Sequence, residues 1–358
     1  MKKTAVLLLL LSILASSLLV SCGRGGEGEV SVFYYTYSDT YISTVRSALD
    51  KALDGAGISY QDYDSNNNQT TQTEQVQTAI TKGAKLLVVN IVTTGSDNAA
   101  SGIIKLAKEA GIPVIFFNRE VSDDIVKSYD KCVFIGTDAT EAGKLQGDMI
   151  GDYVVKNYSS IDLNGDGEIS YVMFMGEKGN NEAIYRTKYS LENANAKLSA
   201  AGKKPLKFYD PSNPDKYLLD RDGKWSAQAA NEYMTTILSS HSVANKNMVE
   251  LIICNNDGMA EGAISALTSS GYNTGKEGAT AIPVFGVDAT SAAKELIKSG
   301  KMAGTIKQDA EGMAKAILKC TENGVADKKL LDGMDDYNID ESVDKVRIPY
   351  AVYLGEGD

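Results

Sequence analysis

Residues 112–118 read IPVIFFN, and this segment contains the pattern that decides the fold. Apolar side chains occupy both faces of its centre, which predicts a short strand buried on both sides. A pattern with helical spacing precedes it over residues 99–110 and ends at Gly111, a residue type that commonly terminates helices. A helix followed by such a strand is typical of a parallel sheet whose two faces are covered by helices.

The same alternation of helix and strand runs along most of the chain. Strands are predicted at 30–35, 58–63, 85–90, 112–118 and 132–136, and then at 170–175, 206–209, 249–255, 282–287, 302–306 and 346–353. Helices are predicted at 41–56, 69–82, 99–110, 140–156, 182–200, 227–238, 259–269, 290–299 and 310–322. The chain is therefore predicted to form two doubly wound α/β halves. Ligands of such folds bind at the carboxyl ends of the strands, where this sequence places many polar residues.

The composition is that of a soluble globular protein, since 43% of the 358 residues are apolar and 23% are charged. This length exceeds one ordinary hydrophobic core, so two domains are expected. The formal net charge is -11, which argues against nucleic acid and anionic membrane surfaces as partners. A transcription regulator, which needs a basic DNA-binding helix-turn-helix, is excluded on the same grounds.

The first 28 residues have the features of a targeting segment. Lys2 and Lys3 precede an apolar run over residues 5–19, which is too short for a comfortable membrane span. The run ends in Leu-Val-Ser-Cys at 19–22, which resembles a bacterial lipobox; a plain secretory signal is the alternative. On this resemblance, residues 1–21 form a lipoprotein signal peptide, Cys22 carries the lipid, and residues 22–28 are a lipidated tether. The mature protein is expected to be anchored to a membrane without spanning it.

Cysteine and histidine usage argues against catalysis and against a zinc site. The other three cysteines, Cys132, Cys254 and Cys320, are odd in number and widely spaced, so they are expected to be buried free thiols. The single histidine, His241, has no cysteine partner nearby in the sequence. No Ser/His pairing and no phosphate-binding glycine motif is present either. The sequence therefore does not indicate an enzyme.

Residues 162–170 read DLNGDGEIS and resemble the first three-quarters of a calcium-binding loop. Side-chain oxygens recur at every second position, and a glycine follows where such a loop turns sharply. The predicted Ca²⁺ ligands are the side chains of Asp162, Asn164 and Asp166, the backbone carbonyl of Glu168, and the hydroxyl of Ser170 or a water that it holds. Two features depart from an EF-hand: Met173 occupies the twelfth position, and a strand follows in place of a helix. A polar turn without a metal is the alternative.

Several segments together resemble a known family. These segments are IPVIFFNRE at 112–120, IGTD at 135–138, the loop 162–170, LIICNNDGM at 251–259 and IPVFGVDA at 282–289. They are similar to the periplasmic sugar-binding proteins of ABC transporters, most closely to the galactose/glucose-binding members. The resemblance extends over residues 30–353, which is almost all of the predicted mature chain.

The resemblance implies a periplasmic-binding-protein-like α/β fold, with two Rossmann-like lobes that contain parallel sheets and are joined by a three-segment hinge. The N-terminal lobe is expected to comprise residues 29–136 and 309–340, and the C-terminal lobe residues 137–308 and 341–358. The chain is expected to cross between the lobes near 136–138, near 308–309 and around 340–346.

The resemblance also implies a sugar site between the lobes. A pyranose has apolar faces and a rim of hydroxyls, so a tight site stacks aromatic rings on the faces and surrounds the rim with polar groups. The implied stacking pair is Trp225 and Tyr41, and the family has a phenylalanine where this chain has Tyr41. The implied polar residues are Asp39 and Asn118 from the first lobe, and Asn180, Glu182, Arg186, Asn256, Asp288 and Gln308 from the second. Tyr35 is a further candidate.

Some of these positions depart from the family pattern. Asn180 stands where the family has a histidine, Glu182 where it has an aspartate, and Gln308 where it has an asparagine. Each replacement keeps a hydrogen-bonding group but changes its reach. For the calcium loop, the resemblance supplies the missing carboxylate as Glu250, while Ser170 stands where the family has a glutamine.

Other interpretations of single residues stay open at this point. Asp39 and Asp257 suit helix N-caps, and a cap is the preferred interpretation for Asp257. Trp225 alone, without the resemblance, suits a core position. Arg186 alone suits an exposed helix face.

The function that the resemblance implies is that of a monomeric lipid-anchored receptor on the periplasmic face of the cell envelope. It would bind D-glucose or D-galactose between its lobes and deliver the sugar to an ABC sugar permease. Some family members couple to chemotaxis, so a chemoreceptor is a further candidate partner. The alternative that remains is a calcium-dependent structural or signalling lipoprotein whose sugar binding is altered or lost.

Overall fold

Residues 29–355 are described by a computed structural model of the chain, so the predicted signal peptide, the tether and Cys22 lie outside the described residues. The first lobe begins with five strands that alternate with four helices. They are β1 (Val30–Tyr34), α1 (Thr40–Ala56), β2 (Tyr60–Asp64), α2 (Gln69–Thr81), β3 (Leu86–Val89), α3 (Asn98–Ala110), β4 (Val114–Phe117), α4 (Asp123–Lys127) and β5 (Cys132–Gly136).

The second lobe continues with the same alternation. Its elements are α5 (Ala139–Ile161), β6 (Ser170–Met175), α6 (Asn181–Ala200), β7 (Lys207–Phe208), β8 (Leu218–Leu219), α7 (Ala227–Leu238), β9 (Leu251–Cys254), α8 (Asp257–Ser269), β10 (Val284–Asp288), α9 (Ser291–Lys298) and β11 (Gly304–Gln308). The chain then returns to the first lobe, where α10 (Ala310–Val325) packs against α1. Three short strands follow: β12 (Asn338–Asp340), β13 (Lys345–Arg347) and β14 (Tyr350–Tyr353).

Each lobe is organised around one sheet. Within the described residues, the first sheet has the strand order β12-β13-β5-β4-β3-β1-β2, and the second has the order β14-β11-β10-β9-β6-β7 with β8 beside β6. Most neighbours are parallel; β12 with β13 and β11 with β14 are antiparallel. The predicted two-lobed, doubly wound α/β architecture is therefore confirmed.

The segment at 112–118 explains how the first sheet is buried. Ile115 and Phe117 of β4 pack into a hydrophobic cluster on one face of the sheet, with residues of α1 and α10. Val114 and Phe116 pack into a separate cluster on the other face, with residues of α2 and α3. The strand is fully buried because helices cover both faces, as its continuous apolar run predicts.

The three cysteines of the described region are also placed as expected. Cys132, Cys254 and Cys320 are buried and form no disulfide with one another. Burial raises the pKa of each thiol, which keeps the thiols protonated and unreactive.

The C-terminal tail differs from the prediction of one strand over 346–353. Lys345–Arg347 pairs with β5 in the first sheet, whereas Tyr350–Tyr353 pairs with β11 in the second. Ile348 still donates its backbone N–H to Gly136 O at 2.8 Å. Pro349 follows, and it has no N–H with which to continue the ladder. The third crossing therefore lies at residues 348–349, and the predicted lobe boundary between 340 and 341 is too early.

Close packing of two helices positions one wall of the space between the lobes. Gly143, Gly147 and Gly151 lie at four-residue intervals on α5, on the face that contacts α6. A Cβ atom at Gly147 would lie 2.7 Å from the backbone oxygen of Ser190 on α6, closer than real Cβ atoms approach. The absence of side chains at these positions therefore lets α6, which contains the predicted site residues Glu182 and Arg186, lie directly on α5.

Some short elements were not predicted from the sequence. The helix α4 has five residues and the strands β8 and β12 have two and three. Segments of this length do not complete a recognisable period. Among residues 29–355, none of the helices combines the length and the apolar character needed to cross a membrane.

Candidate functional site

A cavity lies between the lobes, at the carboxyl ends of the strands. All ten residues implied by the family resemblance line it, and they come from both lobes. Tyr35, Ile42 and Arg119 line it as well. The cavity thus lies where the rule for ligand placement in doubly wound folds predicts a site.

Three of the lining residues cap helices that begin at the cavity. Asp39 Oδ1 accepts from the backbone N–H of Ile42 in α1 at 2.8 Å. Asn180 caps α6 and Asn256 caps α8 in the same way. The helix-cap interpretation of Asp39 is therefore correct, and its second oxygen, Oδ2, accepts from the Tyr35 hydroxyl at 2.6 Å. Capping fixes these side chains at the cavity wall.

Asp257 has a different role from the predicted helix cap. Asn256 is the N-cap of α8, and Asp257 is the first residue of the helix. Its two carboxylate oxygens accept from Thr305 Oγ1 at 2.6 Å and from the backbone N–H of Thr290 at 2.8 Å. Asp257 therefore joins β11 to the start of α9.

Trp225 is both packed and part of the cavity wall. Trp225 is 8% exposed. Its backbone has φ = 55°, a left-handed conformation that is unusual for a bulky residue. Its indole ring lies against Gly176, where a Cβ atom would be 2.2 Å from the ring. Asn256 Nδ2 donates to the Trp225 carbonyl at 3.2 Å. A strained backbone that is held this firmly is typical of functional sites.

Arg186 lies in the cavity wall and not on an exposed helix face. The residue is 4% exposed. Its Nη1 donates to Asn255 O at 2.9 Å, and its Nη2 donates to Gln308 Oε1 at 3.0 Å and to the Tyr350 hydroxyl at 2.9 Å. Burial lowers the pKa of the guanidinium, but Tyr350 and nearby carboxylates more than offset this, so its pKa stays above the ordinary value.

Four cavity residues have buried polar atoms without a hydrogen-bond partner among residues 29–355. These atoms are Arg119 Nε, Arg186 Nε, Gln308 Nε2 and Glu182 Oε2. The first three are donors and the fourth is an acceptor. Leaving such groups unpaired is costly, so their concentration at one cavity indicates a ligand that both accepts and donates hydrogen bonds.

The cavity wall contains nearly equal numbers of positively charged and acidic groups. Two guanidinium groups, those of Arg119 and Arg186, line the cavity with three carboxyl groups, those of Asp39, Glu182 and Asp288. Burial raises the pKa of Glu182 and of Asp288, and Arg186 opposes this effect at both. Asp288 has φ = 127°, a second strained backbone position at this site. A nearly balanced set of buried charges suits a neutral polar ligand more than an ion.

Polar contacts hold the lobes together beside the cavity. Arg119 Nη2 in the first lobe donates to Glu177 Oε2 in the second at 2.6 Å. Asn180 Nδ2 donates to Thr94 Oγ1 at 3.2 Å across the same interface. Sequence analysis missed Arg119, although it directly follows Asn118 at the end of β4, where the carboxyl-end rule applies equally.

The loop 162–170 and Glu250 come together as the resemblance implies. The two oxygens of Glu250 accept from the backbone N–H groups of Asn164 at 2.9 Å and Ser170 at 2.8 Å. The Ser170 hydroxyl lies 3.0 Å from Glu250 Oε2. Gly167 has φ = 71°, in agreement with the predicted sharp turn. Glu250 thus connects the two ends of the loop.

The fit of this loop to a calcium ion is partial. All of the predicted metal ligands of the loop are oxygen atoms, which suits a hard cation. The side-chain amide of Asn164, however, is already hydrogen-bonded to the backbone of Met248. Its Oδ1 accepts from the Met248 N–H at 2.7 Å, and its Nδ2 donates to the Met248 carbonyl at 2.9 Å. Among residues 29–355, no group of three or more His, Cys, Asp or Glu side chains is placed to hold a metal ion. A bound cation therefore requires the loop side chains to turn inward from their present contacts.

Comparison with known proteins identifies the family. Residues 30–328 match the model of the periplasmic binding protein domain. This chain belongs to that family. Periplasmic binding proteins are solute-binding components of transport and not enzymes, so the prediction that the chain is not an enzyme is confirmed.

One curated member of the family is 35% identical over 352 residues, which cover 98% of this chain and 96% of the relative. It is the D-galactose/methyl-galactoside binding periplasmic protein of Haemophilus influenzae. The ribose import binding protein of Escherichia coli is 27% identical over 308 residues, covering 86% of this chain and 87% of the relative. The predicted resemblance to sugar-binding members is therefore confirmed.

Solved structures of other periplasmic binding proteins have the same fold. A solute-binding protein from Clostridium phytofermentans with bound β-D-glucose has a TM-score of 0.70 and 21% identity, covering 91% of this chain and 93% of that one. A protein from Bacillus halodurans with bound myo-inositol has a TM-score of 0.66 and 24% identity, covering 93% and 96%. At these identities the likeness supports the two-lobed fold alone.

Proposed function

We propose that this protein is a lipid-anchored receptor that binds D-glucose or D-galactose between its lobes and delivers the sugar to an ABC sugar permease. The observation that carries the proposal is the interlobe cavity. Ten residues implied by the sugar-binding resemblance line it, and four of its side chains have buried polar atoms without a partner among residues 29–355. The relative that is 35% identical is a D-galactose/methyl-galactoside binding protein, which supports a galactose-type ligand.

The wall chemistry suits a pyranose. Trp225 and Tyr41 lie in the wall as the proposed stacking pair, from the second and the first lobe. Asp39, Asp288 and Glu182 accept hydrogen bonds from sugar hydroxyls, while the Nε atoms of Arg119 and Arg186 donate to hydroxyl oxygens. Each hydroxyl can donate and accept, so one polyol can satisfy both kinds of unpartnered atom.

Because both lobes contribute contacts, the sugar favours the closed arrangement. A ligand shifts a two-state equilibrium by as much as its affinity differs between the states. An open form offers only one half of the wall to the sugar, whereas the closed form offers both. The closed form is then the state that a permease recognises. We propose that the receptor is a monomer at the periplasmic face of the cell envelope, attached through Cys22, with a chemoreceptor as a second candidate partner.

We further propose that the loop 162–170 binds Ca²⁺ and that the ion is structural. The ligands would be Asp162, Asn164, Asp166, the carbonyl of Glu168, Ser170 and Glu250. A bound cation would supply positive charge beside these acidic groups and fix the loop against β6. Glu250 is fully buried, and burial raises the pKa of its carboxyl group, so a cation would offset the cost of ionising it.

The alternative, a lipoprotein that has lost sugar binding, is not favoured. Glu182 and Gln308 depart from the family pattern, yet both line the cavity, and each has a buried polar atom that no described residue pairs. Polar groups without a ligand to pair them are costly to maintain in a buried wall.

Titration calorimetry with D-glucose, D-galactose and D-ribose tests the sugar assignment. We expect both hexoses to bind, because the two differ at one hydroxyl and the wall contains acceptors and donors. D-Ribose, a pentose, is the control for a sugar that is smaller than a hexose. Tight ribose binding without a hexose response would overturn the galactose/glucose assignment, and no response to any sugar would overturn the receptor function.

A further inference from the structure

The side chain of Arg186, which lines the cavity, hydrogen-bonds to residues at two of the three lobe crossings. It is connected to the remaining crossing through the Tyr350 hydroxyl. In the described part of the chain, the first crossing contains Thr137, the second begins at Gln308, and the third precedes Tyr350. Arg186 Nη2 donates to both Gln308 Oε1 and the Tyr350 hydroxyl. The Tyr350 hydroxyl lies 2.7 Å from Thr137 Oγ1. All three crossings thus meet around a single guanidinium.

This arrangement is buried and specific. Tyr350 is 6% exposed and Thr137 is 1% exposed. Since the Tyr350 hydroxyl accepts from Arg186, its own proton is available to Thr137. Burial raises the pKa of Tyr350, so the hydroxyl keeps that proton at ordinary pH. Arg347 Nη1 also donates to the Thr137 carbonyl at 2.7 Å, which ties the first and third crossings together again.

We propose that Tyr350 and Thr137 are positioning residues that couple ligand contact at Arg186 to the angle of the hinge. This inference rests on the proposed function as a two-lobed sugar receptor. Among residues 29–355 the Nε of Arg186 has no hydrogen-bond partner, and Arg186 lines the cavity. A ligand oxygen that accepts from Nε fixes the plane of the guanidinium. Because the guanidinium is rigid and planar, fixing Nε also fixes the direction of Nη2.

The coupling follows from where hinge motion is absorbed. Rotation between lobes changes the backbone dihedrals of a few residues in the crossings. A hydroxyl pair that bridges the first and third crossings therefore depends on the angle between the lobes. A ligand that orients Nη2 toward Tyr350 favours the arrangement in which Tyr350 also reaches Thr137. By linkage, the arrangement of the crossings changes ligand affinity by the same factor.

Two single substitutions and their combination test the inference. Tyr350→Phe keeps the ring in the core of the second lobe and removes only the hydroxyl. Thr137→Val keeps the shape of the first-crossing residue and removes the other hydroxyl. We expect each to weaken hexose binding by about tenfold, the size of one charge-assisted or buried hydrogen bond. The loss of affinity is expected mainly as faster sugar dissociation. The dissociation rate is measured from the change in fluorescence of the single tryptophan.

The double variant distinguishes coupling from independent effects. If the two hydroxyls act as one unit, Tyr350→Phe combined with Thr137→Val weakens binding no more than the stronger single variant. Thr137→Ser, which retains a hydroxyl, is expected to bind almost as tightly as wild type. Tyr353→Phe is the matched control, because it removes a hydroxyl from the same strand at a residue that does not line the cavity.

The outcomes separate this inference from the proposed function. If wild type binds hexose and Tyr350→Phe binds it with unchanged affinity and dissociation rate, the positioning role is wrong while the receptor function stands. A lower sugar-free melting temperature in Tyr350→Phe, with unchanged sugar affinity at 25 °C, assigns the hydroxyl to stability alone and also overturns the inference. If wild type binds no sugar, the proposed function itself fails.

Discussion

Nη2 of Arg119 in the N-terminal lobe donates to Oε2 of Glu177 in the C-terminal lobe at 2.6 Å, and the two side chains are 4% and 18% exposed. The same carboxylate oxygen accepts from Trp225 Nε1 at 3.3 Å. The Arg119 guanidinium also lies 4.2 Å from the centre of the Tyr35 ring. A cross-lobe ion pair thus contacts two cavity residues, one on each lobe. Lobe closure and the positions of these aromatic residues are therefore linked.

The first prediction concerns this ion pair. Glu177→Gln keeps the shape of the side chain and removes its charge, so Arg119 loses a largely desolvated partner. Removing one member of such a pair is costly because it leaves the other charge buried. We expect hexose affinity to fall at least tenfold. Small-angle scattering at subsaturating hexose is expected to give a larger radius of gyration than for wild type.

Glu29→Gln is the control for a general charge effect. Glu29 pairs with Lys85 on the surface, where both side chains are well exposed, and such pairs contribute little. Sugar affinity that is equal in Glu177→Gln, Glu29→Gln and wild type would show that the ion pair does not support the closed form.

A second prediction concerns pH and a carboxyl pair away from the cavity. Asp62 in β2 and Asp50 in α1 are carboxyl groups that interact electrostatically. Burial, and then Asp50, raises the pKa of Asp62 to about 7. The folded state therefore holds the Asp62 proton more tightly than the unfolded state. The stability it contributes is fully present below the unfolded pKa of about 3.9 and is lost as pH rises through about 7.

We therefore expect the melting temperature of wild type to fall between pH 5 and pH 8. Asp62→Asn imitates the protonated form and is expected to reduce this slope. Part of the slope remains, because burial raises the pKa of Asp257 to about 7 as well. Asp335→Asn, at an exposed position, serves as the control. A slope that is the same in Asp62→Asn as in wild type would contradict the prediction.

The location of the cavity was predictable because it depends on where the strands of a parallel sheet end. Asn118 follows an unmistakably buried strand, and parallel strands all end at the same edge of a sheet. The identity of the other wall residues came from the family resemblance. The contact between Arg119 and Glu177 was not predictable, because it depends on how two lobes face each other. The break at Pro349 was missed because strand-like residues on both sides of the proline resemble one strand, although a proline within such a run argues against one.

The third prediction concerns calcium. A metal that binds only the native state raises its stability by mass action. Chelation is therefore expected to lower the melting temperature of wild type, and re-addition of Ca²⁺ to restore it. Glu250→Ala, which removes the buried carboxylate, is expected to melt at the same temperature with and without chelator.

An unchanged melting temperature of wild type in chelator would show that the loop is closed by protein hydrogen bonds alone. The bonds from Asn164 and Ser170 to Glu250 would then be sufficient for its structure. In that outcome Glu250→Ala would still lower the melting temperature, but equally with and without chelator.

The last prediction concerns the stacking of Trp225, since it decides whether the cavity binds a sugar in the proposed orientation. Trp225 is the only tryptophan of the chain, so its fluorescence reports on the cavity without interference from other indoles. Hexose binding is expected to change this fluorescence. Trp225→Ala removes the ring and is expected to cost about 2 kcal/mol or more of binding free energy, as for a buried aromatic anchor. That corresponds to more than a tenfold loss of affinity by calorimetry.

Trp225→Phe separates stacking from other effects of the indole. It keeps an aromatic face against the sugar but removes Nε1, which donates to Glu177. If stacking dominates, Trp225→Phe retains most of the affinity that Trp225→Ala loses. If both variants lose affinity equally, the indole acts through Glu177 and the cross-lobe pair. Hexose affinity that is unaffected in Trp225→Ala would remove the aromatic stacking pair from the binding model, because the ring would then lie in the wall without contacting the sugar.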